Sequence, residues 1–133
     1  RMREQDFGRI INIGSIHAMV ASKYKSAYIA AKHGLIGFAK TMALETGDAN
    51  ITINTVCPAY VKTPLVEQQI ASQAKEHGIS EQQVIDTIML APMPKKAFIG
   101  LDEILHTVSF LMADAARNIT AQAIAIDGGW TAQ

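Results

Sequence analysis

The 133-residue sequence has a single cysteine, Cys57, which excludes an internal disulfide and any metal cage built from several thiolates. It has no excess of charge of either sign. Twelve basic residues stand against twelve acidic ones, so no net field recruits nucleic acid or an anionic membrane. It has no apolar run near the roughly 18 residues that cross a bilayer, because Lys, Gly or a polar residue interrupts each one first. The opening Arg1-Met2-Arg3-Glu4-Gln5-Asp6 lacks the apolar core of a signal peptide. These absences predict a soluble, cytoplasmic protein in a reducing compartment, with no nucleic-acid or membrane partner. Internal repeats and low-complexity tracts are missing too, and at this length one domain is the ceiling.

What is present is an alternation of short apolar runs and helical periods. Arg9-Ile10-Ile11-Asn12-Ile13-Gly14-Ser15 is β-branched and closed by glycine, which predicts a strand buried on both faces. Leu35, Phe38, Ala39, Met42 and Ala43 recur at helical spacing, predicting a helix over residues 27–46 that Gly47 stops. Residues 51–57 read as a second strand ended by Pro58. Pro64 opens a segment rich in Gln, Ala and Glu as far as Gly78, and Ser80-Glu81-Gln82-Gln83 reads as a capped helix start. Both are expected to be mobile. A helix over residues 101–114 and a strand over 121–126 complete the pattern before Asp127-Gly128-Gly129, and residues 1–6 read as the tail of a further helix.

Strand, helix, strand, helices, strand is the order of a parallel α/β sheet with crossover helices. Three strands are few for a doubly wound sheet, and no phosphate-binding glycine loop follows the first of them. Gly34-Leu35-Ile36-Gly37 lies within a helix, and Gly128-Gly129 follows the last strand. The expectation is the C-terminal half of a larger doubly wound domain, inactive as an isolated fragment.

The chemistry concentrates in residues 13–32. Tyr28 and Lys32 are four apart on one helix, so both side chains leave the same face, and an ammonium beside a phenol favours the phenolate. Ser15 ends the preceding strand, at the carboxyl edge where parallel sheets place ligands. Alone the Tyr-x-x-x-Lys pair is weak. With Ser15 thirteen residues before Tyr28, Cys57-Pro58-Ala59-Tyr60-Val61-Lys62-Thr63 after the next strand and the Asp127-Gly128-Gly129 ending, the chain resembles the short-chain dehydrogenase/reductase family along essentially its whole length.

That resemblance implies a Rossmann-like domain in which Ser15 polarises the substrate oxygen, Tyr28 is the general acid/base, and Lys32 holds the nicotinamide ribose while assisting the tyrosine. Pro58, Ala59, Val61 and Thr63, with Tyr28 and Lys32, would line the cofactor, a backbone group of Val61 fixing the carboxamide. Ala59 stands where the family usually has glycine. The family's asparagine and its glycine-rich loop are not among these residues, and the determinant of NAD against NADP lies upstream.

More narrowly, Gly14-Ser15-Ile16-His17-Ala18, Lys25-Ser26-Ala27-Tyr28 and Thr63-Pro64-Leu65-Val66-Glu67-Gln68-Gln69-Ile70 resemble the bacterial D-3-hydroxybutyrate dehydrogenases, as do residues 30–34 and 127–132. This implies NAD as cofactor, a 3-hydroxy or 3-keto acid as substrate, a homotetramer, and a carboxylate held by His17, Lys25 and Gln69 beside Ser15 and Tyr28. Residues 64–92 would form a substrate lid, and no metal is implied. Lys25 lies three before Tyr28, a spacing that shares its face if the helix begins early enough. Tyr60 stands where tryptophan is usual, and Trp130 matches the C-terminal aromatic.

Each residue has a plainer reading. His17 could be a packed histidine, Lys25 a solvated charge, Gln69 a surface residue, and Tyr60 and Trp130 packing aromatics. Cys57 reads as an inert small hydrophobe. The rival functions are a reductase of the same family acting on a 3-oxoacyl thioester, and a noncatalytic subunit whose helix over 27–46 is an oligomer interface. Gly34 and Gly37 cost that helix about 1 kcal/mol each, which predicts close packing, internal or between subunits.

Overall fold

A computed structural model describes residues 1–132. Three parallel strands, β1 (Gly8–Ile13), β2 (Ile51–Pro58) and β3 (Ala123–Ile126), form a sheet in the order β1-β2-β3. The central strand β2 is buried along all eight residues, as its run of Ile, Thr and Val requires of a strand with neighbours on both edges and helices on both faces. Strand β1 differs from expectation: among the described residues it pairs on one edge only, its middle residues are half-buried, and Ile13 is 52% exposed.

The first crossover is α1 (Ser26–Glu45). Its Ala39 and Ala43 pack on Ile53, with Ile10 and Met42 beside them. Small side chains bring the helix close to the sheet, and Ile53 is fully buried beneath it, a burial that contributes about 1.5–3 kcal/mol. Phe38 faces outward, 52% exposed. At Gly34 and Gly37 an added Cβ would meet open space, so these glycines serve no internal packing among the described residues.

The second crossover is longer, running through α2 (Pro64–His77), α3 (Glu81–Val84), a π-helical turn at Ile85–Met89, and α4 (Leu101–Met112). The Thr63 hydroxyl accepts from the Val66 N–H at 3.4 Å at the start of α2, Pro64 needs no partner at the first position, and Gly78 ends the helix in the left-handed region at φ 64°. Ser80 and Gln83 form the reciprocal capping box that their spacing predicts. This excursion has its own core of Ile70, Val84, Met89, Leu90, Met93 and Ile99.

Three boundaries differ from the sequence reading. Residues 2–6 form turns rather than a helix. Helix α4 ends at Met112, followed by a 3-10 turn at Asp114–Ala116, and β3 begins at Ala123 because Ala121 has φ 59°, which breaks the extended backbone. The approach to β3 is fixed by the buried Asn54, whose amide donates to the Ile119 carbonyl at 2.7 Å and accepts from the Gln122 N–H at 3.0 Å.

Candidate active site

The site is built where β1 ends. The Gly14 N–H donates to the Val56 carbonyl at 2.7 Å, and a Cβ on Gly14 would stand 2.8 Å from Thr55 Cγ2 and 3.2 Å from the Cys57 sulfur. No larger residue fits, so the chain stays tight against β2 until Ser15. The Ser15 hydroxyl accepts from the His17 N–H at 3.2 Å and caps a buried 3-10 turn, Ile16–Ala18. Cys57 lies underneath with its sulfur shielded from water. Burial pushes its thiol up, against smaller opposing effects of a hydrogen bond from the Ser15 backbone and the charge of Lys32, which suits the inert role expected of it.

Tyr28 and Lys32 occupy the first turns of α1. The Lys32 ammonium donates to the Ile13 carbonyl at 3.2 Å and lies 5.7 Å from the centroid of the Tyr28 ring. His17 meets Tyr28 edge-on, with 6.0 Å between centroids, and Trp130 edge-on at 5.8 Å. Trp130 in turn stacks on Tyr60 at 6.2 Å, with 23° between planes. Four rings thus connect the start of α1 to the turn after β3. Burial also pushes up the phenol of Tyr60.

These groups surround a cavity of about 490 Å³. Ser15, His17, Lys25, Tyr28, Pro58, Ala59, Val61, Thr63 and Gln69 line it, together with Tyr60 and Trp130. Lys32 alone of the expected site residues does not, since it stands behind Tyr28 at the end of β1. Lys25 reaches the cavity from the N-cap of α1 rather than from within the helix, and its side chain makes no capping bond there. A cation is poorly placed at the positive end of a helix. That cost, with no acidic residue in the first turn, leaves the cavity wall facing two sources of positive potential. Ile16, Leu65 and Val66 also line the cavity and were not singled out from sequence; the signal available was their place among the motif residues, two of them in the first turn of α2.

Val61 forms an isolated parallel bridge with Ile99, in which the Ile99 N–H donates to the Tyr60 carbonyl at 2.9 Å and the Lys62 N–H to the Ile99 carbonyl at 3.4 Å. In a parallel bridge of this kind the neighbours carry the bonds, so the N–H and C=O of Val61 itself point the other way. Among the described residues no group of three or more His, Cys, Asp or Glu is placed to hold a metal, and no helix is long and apolar enough to cross a membrane.

His17 is 6% exposed, and burial first, then the charge of Lys25, hold its imidazole below the usual histidine range. An unfolded chain takes up this proton near pH 6.5, the folded chain only at lower pH. Stability tied to a neutral His17 is therefore intact above about pH 6.5 and is lost progressively as pH falls below it. The melting temperature should drop between pH 7 and pH 5, and His17→Gln should remove part of that drop. Equal drops in parent and variant would show that another group is responsible.

A parallel sheet with reactive side chains gathered at its carboxyl edge defines the class as a Rossmann-like α/β protein. A family profile described as enoyl-(acyl carrier protein) reductase matches residues 1–131. A D-beta-hydroxybutyrate dehydrogenase of Rhizobium meliloti is 50% identical over 132 residues, covering 99% of this chain and 51% of that protein. One from Cupriavidus necator is 44% identical with the same coverage of both chains. The crystal structure of an actinorhodin polyketide ketoreductase with NADPH superposes with a TM-score of 0.88 at 32% identity, covering 97% of this chain and 49% of that one. This chain belongs to the short-chain dehydrogenase/reductase family. It spans about half the length of the curated relatives it matches.

Proposed function

We propose that the whole protein is an NAD-dependent oxidoreductase interconverting (R)-3-hydroxybutyrate and acetoacetate, in which residues 1–133 are the C-terminal part of one Rossmann-like domain and residues 64–92 act as the substrate lid. The observation that carries this reading is the grouping of Lys25 and Gln69 with Ser15 and Tyr28 around one cavity. A hydroxyl to be oxidised and a carboxylate to be held need those two kinds of group within one small molecule's reach.

The residues fit a nicotinamide. The backbone of Val61 turns away from its bridge at the cavity wall, as a carboxamide partner requires, and Pro58, Ala59 and Thr63 continue that wall. The methyl of Ala59 narrows the approach relative to glycine. A nicotinamide bound there supplies the hydride acceptor. Tyr28, as phenolate, takes the proton of the substrate hydroxyl, while the Ser15 hydroxyl donates to the same oxygen and fixes the carbinol carbon. Lys32 places positive charge behind Tyr28 and, through Ile13, ties it to the end of β1. Lys25 and His17 face the carboxylate, and Gln69 adds a directional donor from α2. The similarity to the Rhizobium meliloti and Cupriavidus necator proteins supports this substrate. NAD as cofactor, a homotetramer and a cytoplasmic place in ketone-body metabolism complete the proposal, as the sequence motifs imply.

A hydrogen bond to a charged group contributes about 1.5–3 kcal/mol. Lys25→Ala and Gln69→Ala should therefore each cost about ten- to a hundredfold in kcat/KM on 3-hydroxybutyrate and little on a secondary alcohol of the same length. Equal losses on both would place these residues in the general architecture. Turnover of a 3-oxoacyl thioester with none of acetoacetate would move the substrate to the thioester class.

A further inference from the structure

The turn after β3 contains a feature that the proposed chemistry leaves unused. Asp127 directs both carboxylate oxygens back into its own turn: Oδ1 accepts from the Gly129 N–H at 2.9 Å, and Oδ2 accepts from the Thr131 N–H at 2.8 Å and the Thr131 hydroxyl at 2.7 Å. Burial of this carboxyl works to raise its pKa, but the bonds from Thr131 and Gly129 outweigh it and hold the group below the usual carboxylate range. Trp130 lies between the two residues that Asp127 grips.

The turn is also wedged from outside. Gly128 and Gly129 have φ of 58° and 92°, and a Cβ on them would stand 3.1 Å from Met93 Cε and 3.2 Å from Pro94 Cγ respectively. The Lys95 N–H donates to the Gly128 carbonyl at 3.1 Å, and the Ala59 N–H to the Ile126 carbonyl at 2.9 Å. The turn is thereby pinned to the exit of the helical excursion on one side and to the end of β2 on the other. Its one large side chain in the cavity wall is Trp130, which stacks on Tyr60 and meets His17 edge-on.

We infer that Asp127 is a positioning residue for the substrate pocket: its three hydrogen bonds fix the indole of Trp130, and so set the part of the cavity wall beside His17 and Tyr60 against which the substrate packs. The inference rests on the proposed function for its substrate. It does not rest on it for the position of Trp130, which can be read without any substrate.

In the full-length protein, Asp127→Ala should raise the KM for 3-hydroxybutyrate at least tenfold while kcat stays within threefold, since only wall contacts shared by ground and transition states are lost. Acrylamide quenching of Trp130, taken as the difference from a Trp130→Phe control, should rise at least twofold. Thr131→Val, which removes one bond of the three and is the variant to use if Asp127→Ala does not fold, should move both readings in the same direction. Thr131→Ser should restore both to the parent values, which a general loss of stability would not predict. Unchanged quenching in Asp127→Ala and Thr131→Val, or a loss confined to kcat, overturns the inference. A parent that turns over no 3-hydroxy acid overturns the proposed function instead, and the quenching series then decides the role of Asp127 alone.

Discussion

Tyr28→Phe in the full-length protein should lower kcat by about a thousandfold, within the range that loss of a general acid/base produces, with folding and cofactor affinity near those of the parent. The structure makes this a clean substitution. Tyr28 is 47% exposed in the first turn of α1, and the ring that meets His17 edge-on is retained when only the oxygen is removed. Surface changes of this kind shift stability by no more than about 0.5 kcal/mol. Turnover within tenfold of the parent would show that the proton is taken elsewhere, and equilibrium binding of the cofactor separates a lost base from a distorted site.

Lys32→Ala should cost about a hundredfold in kcat/KM and also weaken the cofactor. Its second signature is the cofactor itself: equilibrium binding of the nucleotide should weaken alongside turnover, because the ammonium that stands behind the Tyr28 ring at the end of β1 is gone. The fold should tolerate the change. The Ile13 carbonyl that loses its donor ends a strand at an exposed residue, where water replaces the lysine at little cost. Unchanged turnover and unchanged cofactor binding would make Lys32 a brace for β1 and nothing more.

The parts of this structure legible in the sequence are those set by local chemistry. The β-branched run of β2, the threonine and proline that open α2, and the Ser80 to Gln83 box each depend on residues within a few positions of one another, and the structure contains all three. The four-residue spacing of Tyr28 and Lys32 is of the same kind. What the sequence could not show depends on what lies alongside. Arg9 to Ile13 has the same composition whether the strand has two neighbours or one, so its half-burial was invisible. Phe38 and Ala39 are adjacent in the helical period, and only packing on Ile53 decides which turns inward. The spacing puts Lys25 on the face of Tyr28 only if the helix begins at or before it; the helix begins at Ser26, and Lys25 reaches the cavity from the cap. The chain of rings from Tyr28 through His17 and Trp130 to Tyr60 joins four separate stretches of sequence, and no local pattern predicts such a closure.

The excursion between β2 and β3 keeps its own core, Ile70, Val84, Met89, Leu90, Met93 and Ile99, apart from the Ala39, Ala43 and Ile53 cluster that seats α1 on the sheet. Ser15, Tyr28 and Lys32 come from the sheet side of that division, and Leu65, Val66 and Gln69 from the excursion. Substitutions that reshape the second group repack a cluster that the first touches only through the rings of His17, Trp130 and Tyr60. Such a division lets natural drift or a designer exchange one helical module for another and change which molecules are accepted, while the groups that move the proton keep their positions.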